Sequence, residues 1–195
     1  MYVDNLKVEG CGDPPPPPTC AERISNGGFE STSAWYIPTT AFSAGYSTYL
    51  KRSGARSMRT GIVYTYHNRY AYSDVRQTVT IPAWSASTTL RFYAYQMSGE
   101  TYLAPADRSI SPTAAELGPD AASGDVQYLL VLDQWGNWLD TLVWERSNAS
   151  YWRQFSFNLN RFAGQTIMLQ WGSYNNGYSG VTSMYVDDVS LQACP

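Results

Sequence analysis

Apolar and polar residues trade places at every second position over short stretches, each ended by Gly, Pro, Asn or Asp, which is the pattern of half-buried strands. "DVRQTVTI" (74–81) runs into Pro82, and "TLRFYAYQM" (89–97) sets Phe92 and Ala94 on one side against Tyr93, Tyr95 and Met97 on the other. "DVQYLLVLD" (125–133) is apolar on both faces, as expected of a central strand covered on two sides. "WGNW" reads as the hairpin turn after it, and "LDTLVWER" (139–146) as the returning strand. "YWRQFSFNL" (151–159) aligns Phe155, Phe157 and Leu159, and "QTIMLQWGS" (165–173) aligns Ile167, Leu169 and Trp171. "SMYVDDVSL" (183–191) is expected to close the sheet. No segment keeps a helical period; "SPTAAELGPDAAS" (111–123), bracketed by Pro and Gly, reads as a long surface loop. Many strands, Gly-rich turns and one core predict an all-β, antiparallel β-sandwich.

The chain begins as it ends. "MYVDNLKVEGC" (1–11) matches "MYVDDVSLQAC" (184–194) at five positions, with Asn5 against Asp188, Leu6 against Val189 and Val8 against Leu191. Copies this far apart mark a domain repeat rather than a solenoid. Residues 1–11 are therefore expected to be the last strand of a preceding, similar domain, and residues 20–195 one complete unit. "GDPPPPPT" (12–19) stands between them. Five prolines in polyproline II form a stiff spacer of roughly 15 Å.

Composition sharpens this picture in one direction. Sixteen Tyr and seven Trp, against only Lys7 and Lys51 as lysines, describe a chain rich in rings and hydroxyls and poor in flexible cations. Aromatics favour strands and bury large areas. A formal charge of −3, with 15% charged residues, offers no basic field for nucleic acid. No apolar run nears the ~20 residues of a membrane-spanning helix, so no membrane insertion is expected.

Cysteine usage points to an oxidising, extracellular setting. Cys11 and Cys194 hold the same place in the two copies, and Cys20 precedes the first strand of the unit. If the first and last strands are neighbours, Cys20 and Cys194 can be bridged, which leaves Cys11 to a partner in the preceding domain.

Four segments, "SNGGFESTSAW" (25–35), "KRSGARSMRTG" (51–61), "FAGQTIMLQWGSYNNG" (162–177) and "MYVDDVSL" (184–191), resemble in content and order the carbohydrate-binding-module-like jelly rolls. These are galactose-binding-like β-sandwiches that recur in tandem as non-catalytic modules of secreted bacterial proteins. The resemblance implies a structural Ca²⁺ where the first and last segments meet. Glu30 and Asp188 would be its side-chain ligands, with backbone oxygens from Gly28, Ser53 and Asp188. Such an ion takes six to eight oxygens at about 2.3–2.6 Å. On a regular strand Asp187 faces away from Asp188 and is the weaker candidate. Asn5 replaces Asp188 in the opening copy, which implies weaker ion binding by that domain.

Two regions carry the mixture of rings and polar groups that recognises sugars. A concave-face site would join Tyr93 and Tyr95 to Gln127 and Gln170. A loop-edge site would use Tyr66, Tyr70, Trp135, Trp138, Tyr174 and Tyr178. The ordinary alternative for each ring is a place in the core or over a loop. Catalysis finds less support. The single histidine, His67, has no G-x-S-x-G partner, and no metal, Walker or dinucleotide motif is present. Glu100, Glu116 and Glu145 are the free glutamates from which a glycosidase pair could be drawn. Asn148 opens an "NAS" glycosylation sequon, of consequence only in a eukaryotic secretory host. The sequence thus reads as a Ca²⁺-stabilised polysaccharide-binding module beside other domains of its parent chain. The other reading is a structural spacer or protein-interaction module in a tandem array.

Overall fold

A computed structural model describes residues 19–100 and 124–195. Two antiparallel sheets lie face to face. The larger contains β2 (Gly45–Ser47), β3 (Ser57–Gly61), β10 (Thr182–Cys194), β5 (Ser87–Ser98) and β8 (Trp152–Asn158) in that order, with β1 (Ala21–Glu22) paired to the end of β10. The smaller runs β4 (Tyr70–Thr80), β9 (Thr166–Asn176), β6 (Val126–Asp133), β7 (Trp138–Glu145). No α-helix occurs among the described residues, and none of their segments is a helix long and apolar enough to cross a membrane. The opening segment 1–11, the proline run and the 111–123 loop lie outside the described residues.

Alternation builds the core. Phe92, Ala94 and Leu90 of β5, Val75 and Val79 of β4, and Ile167, Leu169 and Trp171 of β9 meet between the sheets. Leu129 and Val131 of β6 join them, while Tyr128, Leu130 and Leu132 pack on that strand's other face, so β6 is central and covered twice as its sequence predicts. The last strand does not close its sheet. β10 sits inside, bonded to β3 on one edge and β5 on the other. Burial of nearly every residue in its first half fits that interior place.

The chain ends are fastened to each other. Val189 N–H donates to Gly27 O at 3.0 Å, and Phe29 and Val189 share the core. Cys20 and Cys194 form a disulfide. Glu22 accepts bonds from Leu191 N–H, Ser190 Oγ and Gln192 Nε2, all on β10, at 2.5–2.8 Å. Burial pushes the Glu22 carboxyl up, but these bonds and that from Ile24 N–H outweigh it and hold the group below its ordinary value.

Two tests follow from this seam. A lowered carboxyl stabilises the fold above its unfolded-state pKa, and the benefit is lost as pH falls through the folded value. Glu22→Gln should therefore flatten the acid limb of a melting-temperature profile below about pH 4.5. At Gly27 a Cβ would stand 1.9 Å from Val189 O, a backbone atom that cannot swing aside. Gly27→Ala should cost about 1–3 kcal/mol in a denaturant titration.

Candidate functional site

Strand β4 sends residues 70, 72, 74 and 76 to the outer face of the smaller sheet, because the opposite set, Ala71, Ser73, Val75 and Gln77, is turned inward and buried. On that face the segment around Tyr36 bridges to Arg76 by a reciprocal backbone pair at 2.8 and 2.9 Å. It thereby raises a wall of Pro38 and Thr40 along the sheet edge. A pocket of about 200 Å³ lies between this wall and the sheet, with Tyr72, Asp74, Arg76, Tyr128 and Gln170 around it.

Gly172 makes this floor possible. Any Cβ there would fall 2.2 Å from the Tyr128 ring, so the bare backbone of β9 lets the phenol lie across it. Gln170 Nε2 donates to the Tyr128 hydroxyl at 3.4 Å, whereas Gln170 Oε1 is buried and accepts no hydrogen bond. Arg76 Nε donates to Asp74 Oδ1 at 2.6 Å. Burial raises the Asp74 carboxyl above its usual range, against the pull of Arg76. Burial likewise raises the Tyr128 and Tyr72 phenols and pushes Tyr174 up to about 12, so all three remain hydroxyl donors at any physiological pH. The aromatic trio Tyr70, Tyr72 and Tyr174 continues the face, with Tyr72 and Tyr174 centroids 4.9 Å apart.

The residues expected to form a concave face are divided between the sheets. Tyr93 and Tyr95 project from the outer face of the larger sheet, where Tyr95 meets Trp152 and the Arg52 guanidinium lies 3.5 Å from the Tyr93 ring centre. Gln127 points inward instead. It is fully buried and bonds Met97 O, Ser147 O and Ser183 O, so it ties the two sheets together and has no free face. Gln170 alone of the four reaches the pocket.

The expected loop edge is divided too. Tyr174 pairs with Val126 at one end of β6, while Trp135 lies in the turn beyond Asp133 at the other end. That separates them by a strand length of roughly 20 Å or more. Tyr70 and Tyr174 belong to the described face, Trp138 packs at its far end beside Leu132, and Tyr178 and Trp135 are exposed single rings. Tyr66 stands in a 3₁₀ turn (Thr65–His67) with His67, apart from the others. Sequence reading missed Tyr72, Asp74, Arg76 and Tyr128. The even-numbered register from Tyr70 to Arg76 was the available signal.

At the seam, Asp187 and Asp188 face the same turn. The ladder shifts register between Asp187 and Ser190 and Asp188 takes φ 49°, so the strand is bulged and the two carboxylates do not diverge as a regular strand requires. Asp187 accepts from the N–H groups of Arg52, Ser53 and Asp188, and burial raises its carboxyl against them. Asp188 accepts from Ser53 Oγ at 2.6 Å and Arg52 Nη1 at 2.5 Å. Glu30 accepts from Ala55 and Arg56 N–H at 3.0–3.1 Å. Carboxylate and hydroxyl oxygens are the right donors for a hard cation, so Glu30, Asp188 and the neighbouring backbone fit Ca²⁺ in chemistry. In this arrangement they are satisfied by N–H and O–H groups, with Arg52 as the counter-charge. No group of three or more His, Cys, Asp or Glu side chains able to hold a metal occurs among the described residues.

The catalytic candidates are engaged elsewhere. Glu145 is bound by Arg153 and Gln96. Glu100 is raised by burial and by Asp125 beside it. Glu116 lies outside the described residues. Asn148 is exposed and accepts from Ser98 N–H.

No protein-family model and no characterised protein sequence matches this chain. Solved structures match it in fold. The carbohydrate-binding module TmCBM61, solved in complex with β-1,4-galactotriose, superposes with a TM-score of 0.54 at 14% identity, over 88% of this chain and 97% of that one. The K1 cleaved adhesin domain of Lys-gingipain from Porphyromonas gingivalis W83 gives 0.52 at 12% identity, over 91% and 100%. The enzymatically active domain of bacteriophage CBA120 tailspike protein 4 gives 0.53 at 13%, over 87% of this chain but 21% of that one. The architecture is an antiparallel β-sandwich, the fold these structures share with this chain.

Proposed function

We propose that this chain is a non-catalytic carbohydrate-binding module of a larger secreted or surface protein, and that a glycan lies on the outer face of the smaller sheet. The observation that carries this reading is the pocket of about 200 Å³ on that face, where Tyr72, Asp74, Arg76 and Gln170 set a ring beside polar groups. Tyr72, half-buried, offers a ring face to the C–H side of a pyranose, while the buried Tyr128 forms the floor beneath it. Asp74 accepts from hydroxyls and Arg76 donates to ring or hydroxyl oxygens. Their mutual 2.6 Å bond holds both in place and leaves Asp74 committed to a fixed partner, a recognition arrangement rather than a proton-transfer one. The Cys20–Cys194 bridge is compatible with an extracellular location. The duplicated terminal segment and the proline run support neighbouring domains in the parent.

The same reading takes the seam as a structural Ca²⁺ site held by Glu30 and Asp188, with backbone oxygens of Gly28 and Ser53. The ion would supply charge neutralisation where Arg52 now supplies it, so ion and guanidinium compete for Asp188.

Affinity electrophoresis through gels loaded with different polysaccharides tests the binding role. β-1,4-Galactan is the first probe because the similar TmCBM61 was solved with its trisaccharide. Retardation by at least one glycan is expected; migration unchanged in every gel overturns the reading. Gln170→Ala should weaken binding about fivefold, the worth of one hydrogen bond near 1 kcal/mol. Tyr72→Ala should weaken it about tenfold, with an unaltered circular dichroism spectrum. For the ion, added Ca²⁺ should raise the melting temperature over that in EDTA, since a ligand bound only by the native state stabilises it. Arg52→Ala should enlarge that difference. Superimposable melting curves for both proteins in Ca²⁺ and EDTA would remove the ion.

A further inference from the structure

The larger sheet carries its own pocket, on the side of the sandwich away from Tyr72 and Gln170. Its floor is a row in register across three strands: Gly45 on β2, Arg59 on β3 and Tyr185 on β10. Phe42, Tyr49, Tyr64 and His67 rise around the row and enclose about 260 Å³.

Arg59 is a half-buried cation with no acid beside it among the described residues. Its Nη2 donates to Ser43 O at 2.9 Å and its Nη1 to Gly61 O, and the guanidinium lies 4.9 Å from the Phe42 ring centre. The ion pairs among the described residues engage Arg52, Arg76, Arg153 and Arg161, not Arg59. Burial pulls its pKa down, and the Tyr185 phenol alone opposes that. A charge withdrawn from water without a counter-charge is unfavourable, and an anion entering the pocket relieves it. A guanidinium has five N–H donors in a planar fork, so two backbone bonds leave others free for a carboxylate. Gly45 keeps that approach open, since its backbone leaves the space beside Nη2 without a side chain.

The rim selects among anions. Tyr49 and Tyr64 are 70% and 51% exposed, and Tyr64 stacks on Tyr66 with centroids 5.4 Å apart. Rings held in water above a pocket are stacking surfaces for a flat apolar face. A small inorganic anion would use none of that area. The pocket falls just below the roughly 300–1,000 Å³ of ordinary small-molecule sites, so it suits one residue of a chain.

We propose that this pocket binds a carboxylate-bearing sugar, a uronic acid residue of an acidic polysaccharide, with the carboxylate on Arg59 and the pyranose between Tyr49 and Tyr64. The ligand class rests on the glycan-binding reading above; the site does not share a residue with it.

The test is a ¹H–¹⁵N NMR titration with trigalacturonate and, in parallel, neutral β-1,4-galactotriose. Trigalacturonate should shift Gly45, Arg59 Nε–H and Tyr64, and galactotriose should leave them still. Arg59→Met should weaken trigalacturonate binding tenfold or more. If that variant fails to fold, Tyr49→Ala and Tyr64→Ala, both on exposed rings, should each weaken it about fivefold. The proposal is overturned if trigalacturonate shifts nothing, if it shifts only the Tyr72–Gln170 face, or if the neutral trimer enters the pocket equally well. The second of those results would leave the module a glycan binder while emptying this pocket. Failure of neutral glycans alone would remove the first face and leave this one.

Discussion

The last strand holds the sandwich because it is hydrogen-bonded along both edges. β10 takes β3 on one side and β5 on the other, and its final residues also receive β1. An interior strand of thirteen residues must hide apolar side chains on its inner face and still accommodate two consecutive aspartates. The bulge between Asp187 and Ser190 resolves the conflict. It leaves Val186 and Val189 both in the core with two residues between them, and it turns both carboxylates to the Arg52–Ser53 turn. A regular pleat would place one of those aspartates among the valines.

This explains what could be read beforehand and what could not. Alternation within "TLRFYAYQM" correctly separates Phe92 and Ala94 from Tyr93 and Tyr95, since period two is a property of the strand itself. It carries no information on which sheet the strand joins. Tyr93 and Gln127 therefore looked like partners and lie on different sheets, one facing out and the other locked between the layers. β2 and β3 escaped notice because three to five residues are too few to show a period. The terminal repeat, by contrast, pointed at the right seam, and Cys20 and Cys194 meet there. Of the binding candidates, Gln170, Tyr70, Tyr174 and Trp138 fall on the outer face of the smaller sheet. The aromatic loops misled because ring content says nothing about which end of a strand a loop occupies.

Three arginines show how one side chain serves three purposes by its surroundings. Arg76 is paired with Asp74 in a half-buried wall and so orients a carboxylate. Arg52 caps Asp188 at the seam and rests on Tyr93, where it stands for a cation in the architecture. Arg59 is met by carbonyls and a ring and by no acid among the described residues, which is the ground for proposing that its charge serves a ligand. In a protein with two lysines, the guanidinium groups carry almost all the positive chemistry, and their planar donors suit fixed geometry better than a mobile ammonium.

The sulfur bridge has a mechanical meaning. Tension drawn along the polypeptide into Cys20 and out at Cys194 passes from one residue to the other through a covalent bond, and the strands between them carry none of it. A module pulled at both ends of its chain would in this way keep its sheets at rest under a force that would unzip an unbridged sandwich.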